Sequence, residues 1–329
     1  MLELTKKFTA AFSVSGYEKP LAEIIKKELA SVADEIVSDP VGNLLVLKKG
    51  KDHSKKLMIA SHMDEIGFVV TNIEESGFIH ISPVGGINPL ASAFHRVRFA
   101  NGTNGVIVPE DGVKAADLTV KKLIVDIGAK DRKAAEKKVG VGDICAVVPM
   151  LQKLCGTRYA AKAFDDRIGC VISAYAALHC GKPAYDTWFV FTVQEEVGCR
   201  GSKPAAYRIM PDYAIALDVT AADECGGTPI TKLGGGAAIK IKDNSVLCSP
   251  VIVDRLTELA KQNKIAYQYE VLPYGGTDTS SMQMTGAGAA AGCISIPTRY
   301  IHSPVETLDM KDLKACADLL IAFVENGAE

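Results

Sequence analysis

An interruption in the alternation of helices and strands constrains the fold of this chain more than any other feature. Amphipathic helix patterns and apolar strand patterns alternate before residue 67 and again after residue 161. Between them, short runs such as "HRVRFANGTNGVIVPEDG" are broken by Gly, Asn and Pro turns, and only "AKDRKAAEKKVG" has a helical pattern. We therefore predict one α/β domain built from residues 1–66 and 162–329, with a small β-rich domain of residues 67–161 inserted between these segments.

Several segments of the α/β domain can be assigned to helices or strands. Residues 17–36 carry apolar residues at helical spacing, which predicts one helix. The run "KKLMIASHMDEIGFVV" is apolar enough to form a strand that is buried on both faces. Ser249 is in position to cap a helix, and "DMKDLKACADLLIAFVEN" closes the chain as an amphipathic helix. These patterns predict a three-layer α/β domain with a mixed sheet.

The composition excludes several classes of partner and compartment. With 37 basic and 39 acidic residues and no basic block, neither nucleic acid nor an anionic membrane is expected as the main partner. The apolar runs are shorter than the roughly 18 residues of a membrane span, and the N-terminus lacks the apolar core of a signal peptide. Nine scattered cysteines without a CxxC pair indicate free thiols. We expect a cytoplasmic protein.

Histidines and carboxylates collect where predicted strands end. His62 and Asp64 follow one apolar strand, and His302 follows the strand "CISIP". The other acidic positions are Asp165–Asp166 in "KAFDDRIG", Glu195–Glu196 at the end of "DTWFVFTVQEE", and Asp218 at the end of "YAIALDV". Because ligands of open α/β sheets bind outside the carboxyl ends of the strands, these side chains are expected to converge there.

Two imidazoles and several carboxylates in one crevice indicate a site for divalent metal, with two ions expected. A carboxylate that bridges two ions positions both the attacking water and the substrate oxygen, and a nearby glutamate can take the proton of the water. Each position also has a structural explanation: Asp64 as a turn residue, Asp165–Asp166 as a helix cap, Asp218 as a loop carboxylate. The pair Glu195–Glu196 is harder to explain structurally, since charge at the end of a buried strand needs a partner.

Other catalytic motifs are missing from the sequence. It contains no HExxH, no GxSxG and no Walker loop, and "GAGAAAG" has the wrong spacing for a dinucleotide fingerprint. Cys199 follows the glutamate pair, but no base is arranged for a thiol nucleophile. We expect Cys199 to be a buried free cysteine.

Five motifs together resemble one family of enzymes. "SHMDEIGF", "KAFDDRIG", "QEEVGCRGS", "ALDVT" and "IPTRYIHSPVE" are similar, in this order, to the tetrahedral aminopeptidase and glutamyl aminopeptidase family of dinuclear metallopeptidases, some members of which carry a glucanase label. The resemblance runs over nearly the whole chain. It implies an aminopeptidase-like fold, an inserted domain that serves dimer formation, and assembly of dimers into a hollow tetrahedral dodecamer.

The resemblance also implies a role for each position of the metal site. Asp165 would bridge the two ions, although Asp166 is adjacent and spacing alone does not separate the two. One ion would also bind His62 and Asp218, and the other Glu196 and His302. Zinc is the expected metal, and cobalt or manganese would suit the same ligands.

Glu195 would be the general base that activates the bridging water, and Asp64 would orient His62 by a hydrogen bond. The Asp165–Asp166 peptide is expected to be cis, as in relatives. The resulting hypothesis is an aminopeptidase that removes N-terminal residues from short peptides. A carboxypeptidase or amide deacylase on the same scaffold is the alternative, and a glucanase or a non-catalytic peptide-binding scaffold is less favoured.

Three further expectations concern the surroundings of the site. "YGGTDTS" and "PTRY", including Arg299, are expected to approach the substrate pocket, although the preferred N-terminal residue stays open. The loop after Asp218, "TAADECGGTP", looks individual to this chain and could alter substrate access or assembly contacts. Gly198 is expected to permit the turn that brings Glu195 and Glu196 to the same crevice.

Overall fold

A computed structural model describes residues 1–222 and 231–329 of the chain. Residues 223–229 of the loop "TAADECGGTP", which was expected to affect substrate access or assembly, therefore lie outside the described residues. Within the described ranges, every helix is too short or too polar to span a membrane.

The described chain contains nine α-helices, two short 3-10 helices at Ala115–Asp117 and Val120–Lys122, and seventeen strands. The helices are α1 Leu2–Ala10, α2 Lys19–Leu29, α3 Pro89–Ser92, α4 Arg132–Glu136, α5 Phe164–His179, α6 Ser202–Ile209, α7 Pro250–Gln262, α8 Asp278–Gln283 and α9 Met310–Asn326. The strands are β1 Glu35–Ser38, β2 Leu44–Lys48, β3 Asp52–His62, β4 Gly67–Ile73, β5 Ile79–Val84, β6 Arg96–Phe99, β7 Asn104–Pro109, β8 Leu123–Asp126, β9 Ile144–Val147, β10 Gln152–Lys153, β11 Arg158–Ala161, β12 Tyr185–Thr192, β13 Tyr213–Ala221, β14 Ala237–Lys242, β15 Tyr267–Val271, β16 Ala290–Arg299 and β17 Glu306–Asp309.

A large mixed sheet forms the centre of the α/β domain. Its order is β1-β2-β12-β3-β13-β16-β17-β11-β10, with β14 beside β16 and β15 beside β14. The four strands β12, β3, β13 and β16 are parallel to one another, so their carboxyl ends lie along the same edge. The antiparallel neighbours β2 and β17 flank them. The predicted mixed sheet is confirmed.

The strand periodicity divides the core of this domain into two layers. Leu57 and Ile59 of β3 belong to the core cluster that includes residues of α5 and α9. Met58 and Ala60 alternate with them and belong to the cluster that includes residues of α6 and α8. Because successive strand residues point to opposite faces, a continuously apolar strand is buried between two helical layers. The predicted three-layer arrangement is confirmed.

The interruption in the α/β pattern forms a closed barrel with its own core. The strands run β4-β5-β8-β7-β6-β9 around the barrel. The buried residues inside it are separate from the cores of the large sheet and include Phe68, Val70, Ile81, Val97, Phe99, Ile107, Leu123 and Val125. The short strands β10 and β11, which we placed in the β-rich segment, instead join the large sheet, where Ala161 pairs with Glu306 of β17.

Two predicted elements are divided in the structure. The single helix predicted over residues 17–36 ends at Leu29, and its last residues enter β1. The single strand predicted over "KKLMIASHMDEIGFVV" is split into β3 and β4, because the chain leaves the large sheet after His62 and enters the barrel at Gly67. A Cβ atom on Gly67 would lie 2.7 Å from the Val14 side chain, so glycine permits this close crossing.

Helix ends were predicted with mixed success. Ser249 occupies the N-cap position of α7, but its side chain makes no capping hydrogen bond. The short helix α3 was not predicted, although Asn88 caps it by accepting hydrogen bonds from the backbone of Leu90 and Ala91.

Candidate metal centre

The predicted site residues meet at the carboxyl ends of the parallel strands. His62 is the last residue of β3, and Glu195 and Glu196 follow β12. His302 lies in the turn after β16. Asp218 does not end its strand as predicted, because β13 continues to Ala221. The ladder between β13 and β3 stops at Ala216, so the following part of β13 is free of β3 and Asp218 reaches the crevice.

Asp165 stands between the two histidines. Its Oδ1 lies 3.1 Å from His62 Nε2, and its Oδ2 lies 3.3 Å from His302 Nε2. Asp166 is directed elsewhere, since its two carboxylate oxygens accept hydrogen bonds from the backbone of Gly169 and His62. The peptide between the two aspartates is cis, as expected. Of the two adjacent aspartates, only Asp165 therefore directs one oxygen toward each histidine.

The glutamate pair separates in the turn after β12. Glu196 Oε2 lies 3.2 Å from His302 Nε2, whereas Glu195 Oε2 lies 3.9 Å from His62 Nε2. The turn passes through left-handed backbone at Gln194, with φ of 55°, and at Gly198, with φ of 113°. The expected contribution of Gly198 to this turn is confirmed, and Gln194 adds a second left-handed residue that was not predicted.

Asp64 connects the first histidine to the glutamate pair. Its Oδ1 lies 3.4 Å from His62 Nδ1, and its two oxygens accept hydrogen bonds from the backbone of Glu195 and Glu196 at 3.0 and 3.2 Å. Ser15 donates a further hydrogen bond of 2.6 Å to Asp64. Burial raises the pKa of Asp64, but these partners lower it below its usual value.

The ionisable groups of the centre shift one another's pKa values. Burial raises the pKa values of Glu195, Glu196 and Asp218, and neighbouring carboxylates raise them further. Burial would also raise the pKa of Asp165, but hydrogen bonds from the two histidines lower it. Burial would lower the pKa of His302, but Asp165 and Glu196 raise it to about 12. The side chains thus form a site with more carboxylates than cationic partners.

The donor set fits divalent metal ions. In the described ranges, the ion pairs of Asp165, Glu195, Glu196 and Asp218 are made with histidines and not with Lys or Arg. Glu196 Oε1 is buried and has no hydrogen-bond partner within those ranges. One ligand atom from each of His62, Asp165 and Glu196 lies within 4.8 Å of the others. Imidazole nitrogen and carboxylate oxygen suit zinc, cobalt and manganese.

Glu306 is a residue of the site to which the sequence reasoning assigned no role. Its Oε2 accepts the backbone N–H of Asp165 at 3.0 Å, and its Oε1 accepts that of His302 at 2.9 Å. One buried carboxylate therefore holds the backbone of two candidate ligands. The available signal was its position in "IPTRYIHSPVE", four residues after His302.

Cys199 differs from its prediction as a buried thiol. It is half-buried, and its Sγ lies 3.1 Å from Glu195 Oε1. Burial and the Glu195 carboxylate raise the pKa of this thiol, so it is a hydrogen-bond donor to Glu195 and not a nucleophile.

A crevice of about 570 Å³ opens beside the centre. It is lined by Asp165, Glu195, Glu196 and Asp218 and by residues 274–277 of the predicted "YGGTDTS" segment. Among the described residues that line the crevice there is none of the predicted "PTRY" segment, residues 297–300, which includes Arg299; Ile301 and His302, which follow it, do line the crevice.

The family model of the M42 glutamyl aminopeptidases matches residues 42–319. The chain belongs to the M42 glutamyl aminopeptidase family. The match includes every residue of the centre described above, from His62 to His302. Members of this family are aminopeptidases, so the chain is a peptidase that acts at the N-termini of its substrates.

Individual relatives extend the similarity to almost the full length. A protein of Acetivibrio thermocellus that carries an aminopeptidase name is 45% identical over 332 residues, which cover 98% of each chain. The structure of aminopeptidase APDkam598 from Desulfurococcus kamchatkensis has a TM-score of 0.95 and 38% identity, and the match covers 99% of this chain and 94% of that one. The TET1 peptidase of Pyrococcus horikoshii, which can assemble into a tetrahedron or a large octahedral shell, has a TM-score of 0.89 and 31% identity, with 99% of each chain covered.

Proposed function

We propose that this M42 aminopeptidase removes N-terminal residues from short peptides at a centre of two divalent metal ions, with Glu195 as the general base. The observation that carries the proposal is the position of Asp165, whose two oxygens face His62 and His302 at 3.1 and 3.3 Å. A carboxylate in this position suits two ions held side by side.

The ligands divide between the two ions around Asp165. His62 would hold one ion together with Asp218, whose Oδ1 lies 4.0 Å from His62 Nε2. His302 would hold the other ion together with Glu196. When bound, such ions polarise a substrate carbonyl and lower the pKa of coordinated water. Zinc is the metal we favour, and cobalt and manganese suit the same ligands.

Glu195 borders the crevice beside His62. Its Oε2 is 3.9 Å from His62 Nε2, compared with 3.2 Å between Glu196 and His302. From this position Glu195 takes the proton of the attacking water and returns it to the leaving amine. Asp64 orients both participants, because it contacts the His62 ring and accepts the backbone N–H of Glu195.

The assembly and the compartment are part of the same proposal. We place the dimer contact on the inserted unit, residues 67–161, and propose that the dimers assemble into a tetrahedral dodecamer. The support for the dodecamer is the tetrahedral assembly of the similar TET1 peptidase of Pyrococcus horikoshii. A cytoplasmic location is supported by the cysteines, since those in the described ranges are free thiols.

The variant Glu195→Gln tests the role of the base. With a free-amine aminoacyl anilide as substrate, kcat is expected to fall by about 10²–10⁴-fold, because the amide cannot accept the proton. Metal content is expected to stay at the wild-type value, and the N-acetylated anilide should not be cleaved. Glu23→Gln, an exposed position on α2, is the matched control. Near-normal turnover of Glu195→Gln with its metals in place would show that Glu195 is not the base.

A further inference from the structure

Within the part of the chain that the structure describes, four consecutive backbone amides after β12 donate to side chains and not to other backbone groups. The strand ends at Thr192, and the next four N–H groups donate to oxygens of three residues in the first 64 positions. The pairs are Val193 N to Asn43 Oδ1 at 3.0 Å, Gln194 N to Glu18 Oε1 at 3.1 Å, Glu195 N to Asp64 Oδ1 at 3.0 Å and Glu196 N to Asp64 Oδ2 at 3.2 Å. We call Glu18, Asn43 and Asp64 the amide cradle.

Glu18 is the acidic member of the cradle to which the preceding sections assign no role. It occupies the N-cap position of α2, yet its side chain makes no capping hydrogen bond to that helix. The side chain is turned inward, the residue is only 5% exposed, and Oε1 accepts the N–H groups of both Gly16 and Gln194. A buried carboxylate that leaves its own helix uncapped is directed to the turn at Gln194.

Gln194 needs such a partner because of its backbone conformation. Its φ of 55° lies in the left-handed region, which is unfavourable for a residue other than glycine. Strained backbone persists only where surrounding contacts hold it. Asn43 supports the other side of the turn, since its Nδ2 donates to the carbonyl oxygen of Gly201 at 2.8 Å. The backbone conformation of Gln194 determines the positions of Glu195 and Glu196, which follow it in the turn.

We propose that Glu18 is a positioning residue, which holds Gln194 so that the Glu195 carboxylate faces the crevice while Glu196 faces His302. This inference rests on the proposed function, because it assigns to Glu18 an effect through Glu195. Glu18 touches neither substrate nor metal ligand side chains in this arrangement. Its contribution is therefore expected in turnover, with metal content and substrate affinity little changed.

Glu18→Ala and Glu18→Gln separate this role from general stability. Removal of the acceptor in Glu18→Ala is expected to lower kcat by about 10–100-fold, since a shift near 1 Å in a reacting group has effects of this size. Glu18→Gln keeps an oxygen that can accept both N–H groups, and its kcat is expected to stay within about threefold of wild type. KM and metal content should stay near wild type in both. Glu23→Ala, on the exposed side of α2, is the control for the helix.

A double variant tests whether Glu18 acts through Glu195. If it does, Glu18→Ala combined with Glu195→Gln is no slower than Glu195→Gln alone, because the group being positioned has already lost its function. Multiplicative losses in the double variant, a wild-type kcat in Glu18→Ala, or equal losses in Glu18→Ala and Glu18→Gln would each overturn the inference. If Glu18→Ala does not fold, Glu18→Asp replaces it, because its shorter side chain moves the acceptor oxygen away from Gln194. A reduced kcat is expected for Glu18→Asp, and a wild-type kcat would contradict the inference.

The two proposals can fail separately. An active Glu195→Gln variant would reject Glu195 as the base whatever the Glu18 variants do. A fully impaired Glu195→Gln variant beside an unimpaired Glu18→Ala variant would keep the base and reject the positioning role.

Discussion

Two buried groups of charged residues lie close together in this molecule and are balanced in different ways. At the entrance to the barrel, Glu65 contacts both Lys162 and Arg167, and the Arg167 Nη2 to Glu65 Oε1 distance is 2.9 Å. Arg167 also donates to the backbone carbonyls of Phe8 and Ala11. We call Glu65, Lys162 and Arg167 the balanced cluster, because its carboxylate is paired with cations of the chain.

The acidic centre consists of Asp165, Glu195, Glu196 and Asp218, which make no ion pair with Lys or Arg within residues 1–222 and 231–329. Asp165 and Asp218 are buried and Glu195 and Glu196 are half-buried, and the ion pairs of these carboxylates are with His62 and His302. Burying a charge without a partner is costly. The balanced cluster has cationic partners from the chain itself, whereas the acidic centre requires cations from outside the chain. The difference supports divalent ions as the partners of the acidic centre.

The largest effect on the free energy of unfolding is expected from a substitution in the balanced cluster. Glu65→Gln leaves Lys162 and Arg167 buried beside a neutral side chain. Loss of one partner from a buried charge pair typically costs about 3–5 kcal/mol, so the free energy of unfolding is expected to fall by this amount. Chemical denaturation of the zinc-loaded protein measures it, and the metal content of the folded variant should be unchanged. A loss below about 1 kcal/mol would remove the contrast between the two clusters.

The matched substitution in the acidic centre should have the opposite sign when metal is removed. Asp218→Asn replaces a carboxyl whose pKa is raised well above its usual range by burial and by Asp165, which means that the folded state disfavours its charged form. The metal-free variant is therefore expected to gain about 1–3 kcal/mol of unfolding free energy over the metal-free wild type. Its stabilisation by added zinc should be smaller than that of the wild type. Equal losses of stability in Asp218→Asn and Glu65→Gln would contradict our distinction.

A smaller effect is expected at Glu18, a buried carboxyl whose described partners are backbone amides. Burial raises its pKa from 4.5 to about 7, and the charge of Asp64 adds to the shift. Because the folded pKa is the higher one, the carboxyl contributes stability that is present below about pH 4.5 and lost as the pH rises through about 7. Glu18→Gln does not titrate, so its stability relative to wild type is expected to rise by about 2 kcal/mol between pH 5 and pH 8. Denaturation of both proteins across this range, under one metal condition, measures the difference. A stability difference that does not change with pH would show that folding does not raise the pKa of Glu18.

The layers and the meeting point of the site residues could be predicted because both follow from local patterns. Continuously apolar strands such as Leu57–Ala60 have to be covered on both faces. Parallel strands bring their carboxyl ends to one edge, which is why His62 and Glu196 could be expected near each other. The quoted motifs added the order of the ligands, and the geometry of Asp165 agrees with the role that the resemblance implies.

The remaining features depend on contacts between distant residues. β11 joins the large sheet through Glu306 and its neighbours, more than 140 positions away in the chain, and no local pattern shows this pairing. Glu306 and Glu18 act on backbone amides, so neither shows the residue spacing of a ligand set. Asp218 was misplaced relative to its strand because the end of β13 depends on where β3 diverges from it.

The central claim is that the acidic centre takes its balancing charge from two metal ions. The most direct test is the zinc content of stripped and reconstituted protein, measured by mass spectrometry together with a competing chelator. Our account predicts two tightly bound ions per wild-type chain and the loss of one of them in His302→Ala, which keeps His62, Asp165 and Asp218. Fewer than one ion in the folded wild type, or two ions of unchanged affinity in His302→Ala, would contradict it.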